Sequence, residues 1–313
     1  MNNFRRKKRQ ENLIGYLFIL PLIIYFLVFQ LVPILMSFGI SFTKWNMRKP
    51  PIFVGLDNYK QLFTNSLIYP NFWNSMLVTL KYILMTVPIS VVLVLVVASL
   101  LNSLKKGDGI FKTIFYIPSV TASAAIAAVW IFMLDPQYGL INQLLGTHIV
   151  FLANKSTALG ALAVMAIWGG LGYNTLIMLS AMKNIDPALY EAASIDGAGS
   201  FKKFLHITIP SVAPITFFIT VTSLIGAFQA FDAMYLMTGG GPEGSTLTYM
   251  LELYKQAFEY GKMGIASAMS YILFIIILII TFVQFKFQPS EDKGRKEKKA
   301  YGKIKLHKKE SNA

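Results

Sequence analysis

The chain of 313 residues contains no cysteine and only three histidines. Without thiols, disulfide bonds, Cys-ligated zinc and thiol catalysis are excluded. His148, His206 and His307 lie scattered in polar stretches with no ligand spacing among them, so each reads as a solvated or interfacial residue. Arginine is missing between Arg48 and Arg295, and no G-x-x-x-x-G-K-[ST] segment occurs, which rules out ATP binding through a phosphate loop. No ionisable residue other than Lys81 and Asp232 lies well inside the long apolar runs. Transport coupled to protons or ions needs carboxylates, His or Lys inside the spans, because those groups carry the coupling charge. Paired carboxylates, a Ser-His-Asp set and a His-based protease motif are equally missing there, so a membrane enzyme lacks a candidate catalytic set. A transporter of this composition has to borrow its energy. A non-transporting membrane enzyme or scaffold is the contrasting reading, and it needs no outside source of energy.

What the chain has is apolar length. Hydrophobic residues make up 55% of it and the mean hydropathy is +0.54, too apolar for a soluble domain of this size and typical of a polytopic membrane protein. The net charge of +14 comes largely from the ends, since ten of the 29 Lys and Arg residues lie from Lys286 onward and five lie in Arg5–Arg9. Basic ends beside apolar spans set membrane orientation and do not require nucleic acid.

The expected organisation is a basic arm over 1–12, a first transmembrane helix over 13–42 interrupted by Pro21 and Pro33, and a polar, aromatic outer loop over 43–74 with a turn and a short interfacial helix. The core at 75–287 contains five further spans. Their expected limits are 75–101, 110–134, 157–182, 211–238 and 264–287, each near the 20 or so residues that a bilayer needs. A Lys-rich tail, 288–313, has almost no aliphatics and should be disordered. Counted by loop, 21 Lys and Arg fall on one side and 7 on the other. The positive-inside rule therefore places both termini in the cytoplasm with six spans between them. The first span is read as retained, because a cleaved signal peptide has a shorter apolar core and a small-residue cleavage site.

The stretch 186–210 falls on the cytoplasmic side and carries structure of its own. Asp186-Pro187 reads as an N-cap followed by proline at the first helical position. A short helix over 189–196 is expected to end at Gly197 in a left-handed conformation. A second short helix over 201–207 should stop at Pro210. Glu191 then stands beside the small Ala192 and Ala193, with Leu189, Ile195 and Phe204 as expected anchors. An ordinary amphipathic connection has the same look.

The order Glu-Ala-Ala, three residues, Gly197, then Phe204, Ile207, Ile209 and Pro210 resembles the EAA loop of permease subunits of ATP-binding-cassette (ABC) importers. The likeness extends to Phe115-Tyr116-Ile117-Pro118-Ser119, to Thr238-Gly239-Gly240-Gly241-Pro242, and over essentially the whole chain apart from the tail. It is similar to the maltose, multiple-sugar and glycerol-phosphate permeases. The resemblance implies an all-α membrane protein with the type I importer fold. It also implies a second, related permease, two cytoplasmic ATPases that bind ATP and Mg, and an extracytoplasmic solute-binding protein; the chain itself needs no cofactor. The implied ATPase-coupling residues are Glu191, Ala192, Ala193, Asp196, Gly197, Phe204 and Pro210.

Sugars are bound by aromatic faces and neutral hydrogen-bonding groups. The span-four stretch Trp168-Gly169-Gly170-Leu171-Gly172-Tyr173-Asn174 offers both, although small residues also serve close helix packing. By the resemblance, Gly170, Tyr173, Ser223, Ala227 and Ala230 fall at positions that contact sugar in the maltose importer's permease. Two of those are polar there and alanine here, which argues against the same contacts. Gln229, Asp232 and Tyr235 are the expected substitutes, with Trp168 and Asn174 completing the pathway set. Binding a buried anion favours a fixed cation, and none stands well inside the spans, so the resemblance and the composition together imply a neutral mono- or oligosaccharide, with a phosphorylated polyol as the alternative.

Overall fold

The computed structural model describes residues 2–65, 67–104 and 107–287; the expected tail at 288–313 lies outside them. The chain is helical almost throughout. In order it forms α1 (Asn2–Phe26), α2 (Val32–Ser41), strands β1 (Thr43–Lys44) and β2 (Ile52–Phe53), α3 (Asp57–Thr64), α4 (Asn71–Ser103), α5 (Asp108–Val120), α6 (Ser123–Met133), α7 (Leu140–Leu145), α8 (Ala158–Lys183), α9 (Pro187–Ile195), α10 (Ser200–Lys203), α11 (Ile209–Ser211), α12 (Ala213–Phe228), α13 (Tyr249–Tyr254) and α14 (Met263–Lys286). Among the described residues four helical segments are long and apolar enough to cross a membrane, or six if each of two bent pairs counts as one span.

Three expectations about the spans need correction. The first span is not interrupted at Pro21, because α1 runs unbroken from Asn2 through it, and the apolar helical stretch extends over Asn12–Ser41. Span three is broken: α5 and α6 meet at 101°. Pro118 lies in the last turn of α5, and Thr121 and Ala122 then adopt extended conformations, so the chain turns where proline has weakened the helical ladder. Pro210 does not end its helix either. The helix continues to Ser211 and meets α12 at 68°, where Pro214 can neither donate to the Pro210 carbonyl nor let its ring pass it. A π-helical turn, Phe204–Thr208, precedes Pro210, with Ile209 N–H bonded to Phe204 O. The same device, Leu27–Leu31, precedes Pro33 in the first span. Widening one turn absorbs the donor that each proline lacks.

The chain resolves into two compact units, Met1–Phe72 with Glu252–Ile275 and Trp73–Leu251 with Ile276–Ala313. In the first, the outer loop is held by backbone fit. β1 pairs antiparallel with β2 in the register Thr43↔Phe53. Buried Asn58 donates to Ser41 O at 2.8 Å and Thr43 O at 2.9 Å, and Met263 N–H donates to Trp45 O at 3.0 Å. A β-carbon on Gly264 would sit 1.8 Å from Thr43 O, so only glycine allows α14 to start against the hairpin.

In the second unit, α5 lies against α8, and at Gly172 the two backbones meet directly. A β-carbon on Gly172 would sit 1.9 Å from Phe115 O. Ser119 Oγ donates to Gly169 O at 2.9 Å and accepts from Tyr173 N–H at 3.1 Å. The two stretches singled out by sequence, Phe115–Ser119 and Trp168–Asn174, therefore meet. Lipid-soluble helices gain little from apolar burial against each other, so close backbone approach and such interhelical hydrogen bonds hold them together. Val94, Ala98, Leu101, Met178, Leu179, Met182, Val212 and Ile219 form a buried cluster of α4, α8 and the α12 region.

Candidate functional site: a membrane cavity and an exposed coupling loop

The cavity of the second unit is built on one face of α4. Ser75, Thr79, Tyr82, Thr86 and Ser90 recur every three or four residues along an otherwise apolar helix, which puts them on one side of it. Ser75 and Thr79 are buried and serve structure: Thr79 Oγ1 donates to Ser75 O at 2.9 Å and accepts from Tyr249 N–H at 2.8 Å. Tyr82, Thr86 and Ser90 line a cavity of about 450 Å³. The opposite walls come from α8, with Gly170 and Asn174, and from α12 and the segment after it, with Ser223, Gly226, Ala227, Gln229, Ala230 and Asp232. Helix α12 ends at Phe228, and 229–231 are non-helical before the chain resumes a helical path. This break brings the Gln229 and Asp232 side chains and local backbone to the cavity. Irregular backbone at membrane depth is tolerated where it lines such a space.

Seven of the ten expected pathway residues are thus together: Gly170, Asn174, Ser223, Ala227, Gln229, Ala230 and Asp232. The three large aromatics are elsewhere. Trp168 packs edge-on against Trp130, ring centroids 5.8 Å apart, beside a cluster of Trp130, Leu134, Ala161 and Met165. Tyr235 stacks on Phe231 at 5.2 Å, and Tyr173 is an exposed side chain outside the lining. Tyr82, Thr86 and Ser90 escaped the sequence reading. Their signal is the three- to four-residue spacing of polar side chains along span two. The lining is neutral except for Asp232, and Lys81 is exposed and not part of it.

The loop 186–210 forms as its sequence requires. Asp186 caps α9, accepting from Ala188 N–H at 3.0 Å, with Pro187 at the first helical position. Asp196 is the C-cap, and Gly197 follows at φ +75°. Ala198 N–H reaches Ala193 O at 2.8 Å and Gly197 N–H reaches Ser194 O at 3.1 Å, the paired bonds of a glycine-terminated helix. Tyr190 and Thr208 hydroxyls bond at 2.9 Å and Lys203 Nζ donates to Ser194 Oγ at 2.6 Å, closing α9 onto the following turn.

The expected anchors are a correction. Leu189 and Ile195 are exposed, the latter 87%, and Phe204 is half-buried. Leu189 and Ile195 face outward, and the hydrogen bonds of Tyr190, Ser194, Lys203 and Thr208 hold the loop instead. Glu191 and Ala192 are exposed and Ala193 is half-buried among them, with Pro210 exposed at the far end. Polar side chains thus close the loop, and apolar and small ones are presented.

A sequence model of the family described as binding-protein-dependent transport system inner membrane component matches residues 62–292. The chain belongs to this family. It is a multi-pass component of the bacterial inner membrane and a transporter subunit, not an enzyme in its own right. Among curated relatives, the probable ABC transporter permease protein YesP of Bacillus subtilis is 40% identical over 291 residues, covering 90% of this chain and 92% of that protein. The trehalose/maltose transport system permease protein MalF of Thermococcus litoralis is 34% identical over 293 residues, covering 91% and 97%. A crystal structure of a bacterial ABC transporter involved in import of the acidic polysaccharide alginate contains a chain with a TM-score of 0.79 and 22% identity, covering 92% of this chain and 98% of that one. At that identity the likeness carries the fold, that of an ABC importer permease.

Proposed function

We propose that the chain is the solute-conducting permease of an ATP-driven carbohydrate importer, and that its solute is a neutral mono- or oligosaccharide. The observation that carries this reading is the cavity lining: Tyr82, Thr86, Ser90, Asn174, Ser223 and Gln229 supply hydroxyls and amides, and no Lys or Arg joins them. Such groups donate to and accept from sugar hydroxyls, whereas a phosphate would bring charge beside Asp232 with no fixed cation to meet it. The transport of trehalose and maltose named for the Thermococcus relative supports the solute class.

The partners are a second, related permease, two cytoplasmic ATPases that bind ATP and Mg, and an extracytoplasmic solute-binding protein. Glu191, Ala192, Ala193, Asp196, Gly197, Phe204 and Pro210 form the surface on which an ATPase docks, with Glu191 pairing to a basic residue in the ATPase groove. Both termini and this loop lie in the cytoplasm. The outward-facing apolar and small side chains of the loop support that role, since small residues permit close approach.

Uptake by the reconstituted complex tests the solute class. Matched neutral and phosphorylated sugars are offered, and preferential uptake of the neutral one is expected. Selective uptake of a phosphorylated polyol would replace this reading with its alternative. Turnover of a substrate by the detergent-purified chain with no ATPase present would revive the enzyme reading, and failure of any ATPase to co-purify would revive the scaffold reading.

A further inference from the structure

A second cavity, about 610 Å³, lies wholly within the unit formed by Met1–Phe72 and Glu252–Ile275. Its position is set by two helix ends. α2 stops at Ser41 and α14 starts at Met263, so the cavity occupies the level at which the first and last spans leave the apolar layer. Its walls include Lys44, Lys49 and Lys262 with Trp45 and Tyr260, against a single carboxylate, Asp57.

That carboxylate does not neutralise the lysines. Gln61 Nε2 donates to Asp57 Oδ2, and among the described residues none of the three lysines forms an ion pair. Lys262 Nζ rests over the Tyr69 ring, 4.7 Å from its centroid, which fixes one cation at the wall. The floor is rigid, because Asn46 Oδ1 accepts from the Arg48 and Lys49 N–H groups at 3.2 Å and Met263 is tied to Trp45. Excess fixed positive charge with interfacial aromatics is the chemistry that holds a phosphate at a membrane surface. The source follows from depth and neighbourhood: the apolar window of the adjacent first span has no buried residue, leaving a surface along which acyl chains can lie.

We propose that this cavity binds the phosphate of an outer-leaflet phospholipid headgroup through Lys44, Lys49 and Lys262, with the acyl chains against the first span. The proposal does not depend on the class of solute transported. The test uses the full chain assembled with its partner subunits, extracted in mild detergent and examined by native mass spectrometry with phosphatidylglycerol as the probe. Wild type is expected to retain the lipid, and each Lys→Gln change at 44, 49 and 262 should weaken retention about fivefold, the effect of one basic residue near an anionic surface. Lys→Arg at the same positions should restore it, and Lys60→Gln should change nothing. Equal retention by the triple Lys→Gln variant with an unchanged unfolding midpoint would overturn the proposal. So would wild type binding free glycerol phosphate as tightly as phosphatidylglycerol, which would assign the site to a soluble phosphate.

Discussion

The loop 186–210 and the membrane cavity are assembled over different distances along the chain. The Tyr190–Thr208 bond that closes the loop spans 18 positions, and the cap, the turn and the glycine terminus are closer still. The cavity joins Tyr82 to Asn174 and Met234, and the Asn74–Gly244 bond in the same unit spans 170 positions. Short-range structure follows from residue type, because caps, prolines and left-handed glycines act on their own neighbours. The cavity depends on which helices pack together, and the side chain at each wall is chosen by rotation of a helix that is apolar nearly all round.

The sharpest way to break this contrast is Gly172→Leu. Any β-carbon there meets the Phe115 backbone, and the cost should be about 3 kcal/mol or more as α5 and α8 are forced apart. A large fall in the unfolding midpoint in detergent, with loss of uptake, is expected; a midpoint equal to wild type would show that the helices are not locked at this position. Gly197→Val comes next. Nothing lies within 4 Å of a β-carbon there, but φ is +75°, so the penalty is backbone strain of about 1–2 kcal/mol. Insertion and the membrane core should survive while ATPase co-purification weakens and vesicle uptake is abolished, and Glu191→Lys should act the same way through charge. Wild-type uptake by both variants would remove the loop from coupling.

Within the cavity, Asn174→Ala and Thr86→Ala each remove one hydrogen-bonding group worth about 0.5–1.5 kcal/mol, or roughly twofold to twelvefold in apparent solute affinity. Tyr173→Ala and Trp168→Ala, outside the lining, should change it less. The reverse ranking in concentration-dependent uptake would mean that the aromatics, and not the α4 stripe, meet the solute.

The smallest effect concerns Glu252, which is buried at 2% exposure and whose carboxyl burial pushes above the usual glutamate range, with Gln256 donating to it at 2.7 Å. A raised folded-state value means that the folded protein holds the proton more tightly, so stability is fullest below the ordinary value of 4.5 and declines as pH rises through the folded one. Glu252→Gln should flatten that part of a stability–pH profile and stabilise slightly at neutral pH. A decline equal to wild type would assign the slope to another group.

Residue order alone determined the apolar spans, the charge bias that orients them and the capped, glycine-terminated loop, since each depends on local conformational preference or on composition summed over a window; where the spans bend was left to the structure. It also placed Phe115–Ser119 and Trp168–Asn174 as notable stretches, without showing that they touch. Tertiary packing decided that Gly172 admits the Phe115 backbone, that Trp168 leaves the cavity for Trp130, and that Tyr82, Thr86 and Ser90 enter it. It also turned Leu189 and Ile195 outward and buried Glu252. These outcomes turn on which faces of nearly uniform apolar helices meet, and in a membrane that choice is made by close fit and a few hydrogen bonds between helices rather than by a hydrophobic pattern written along each one.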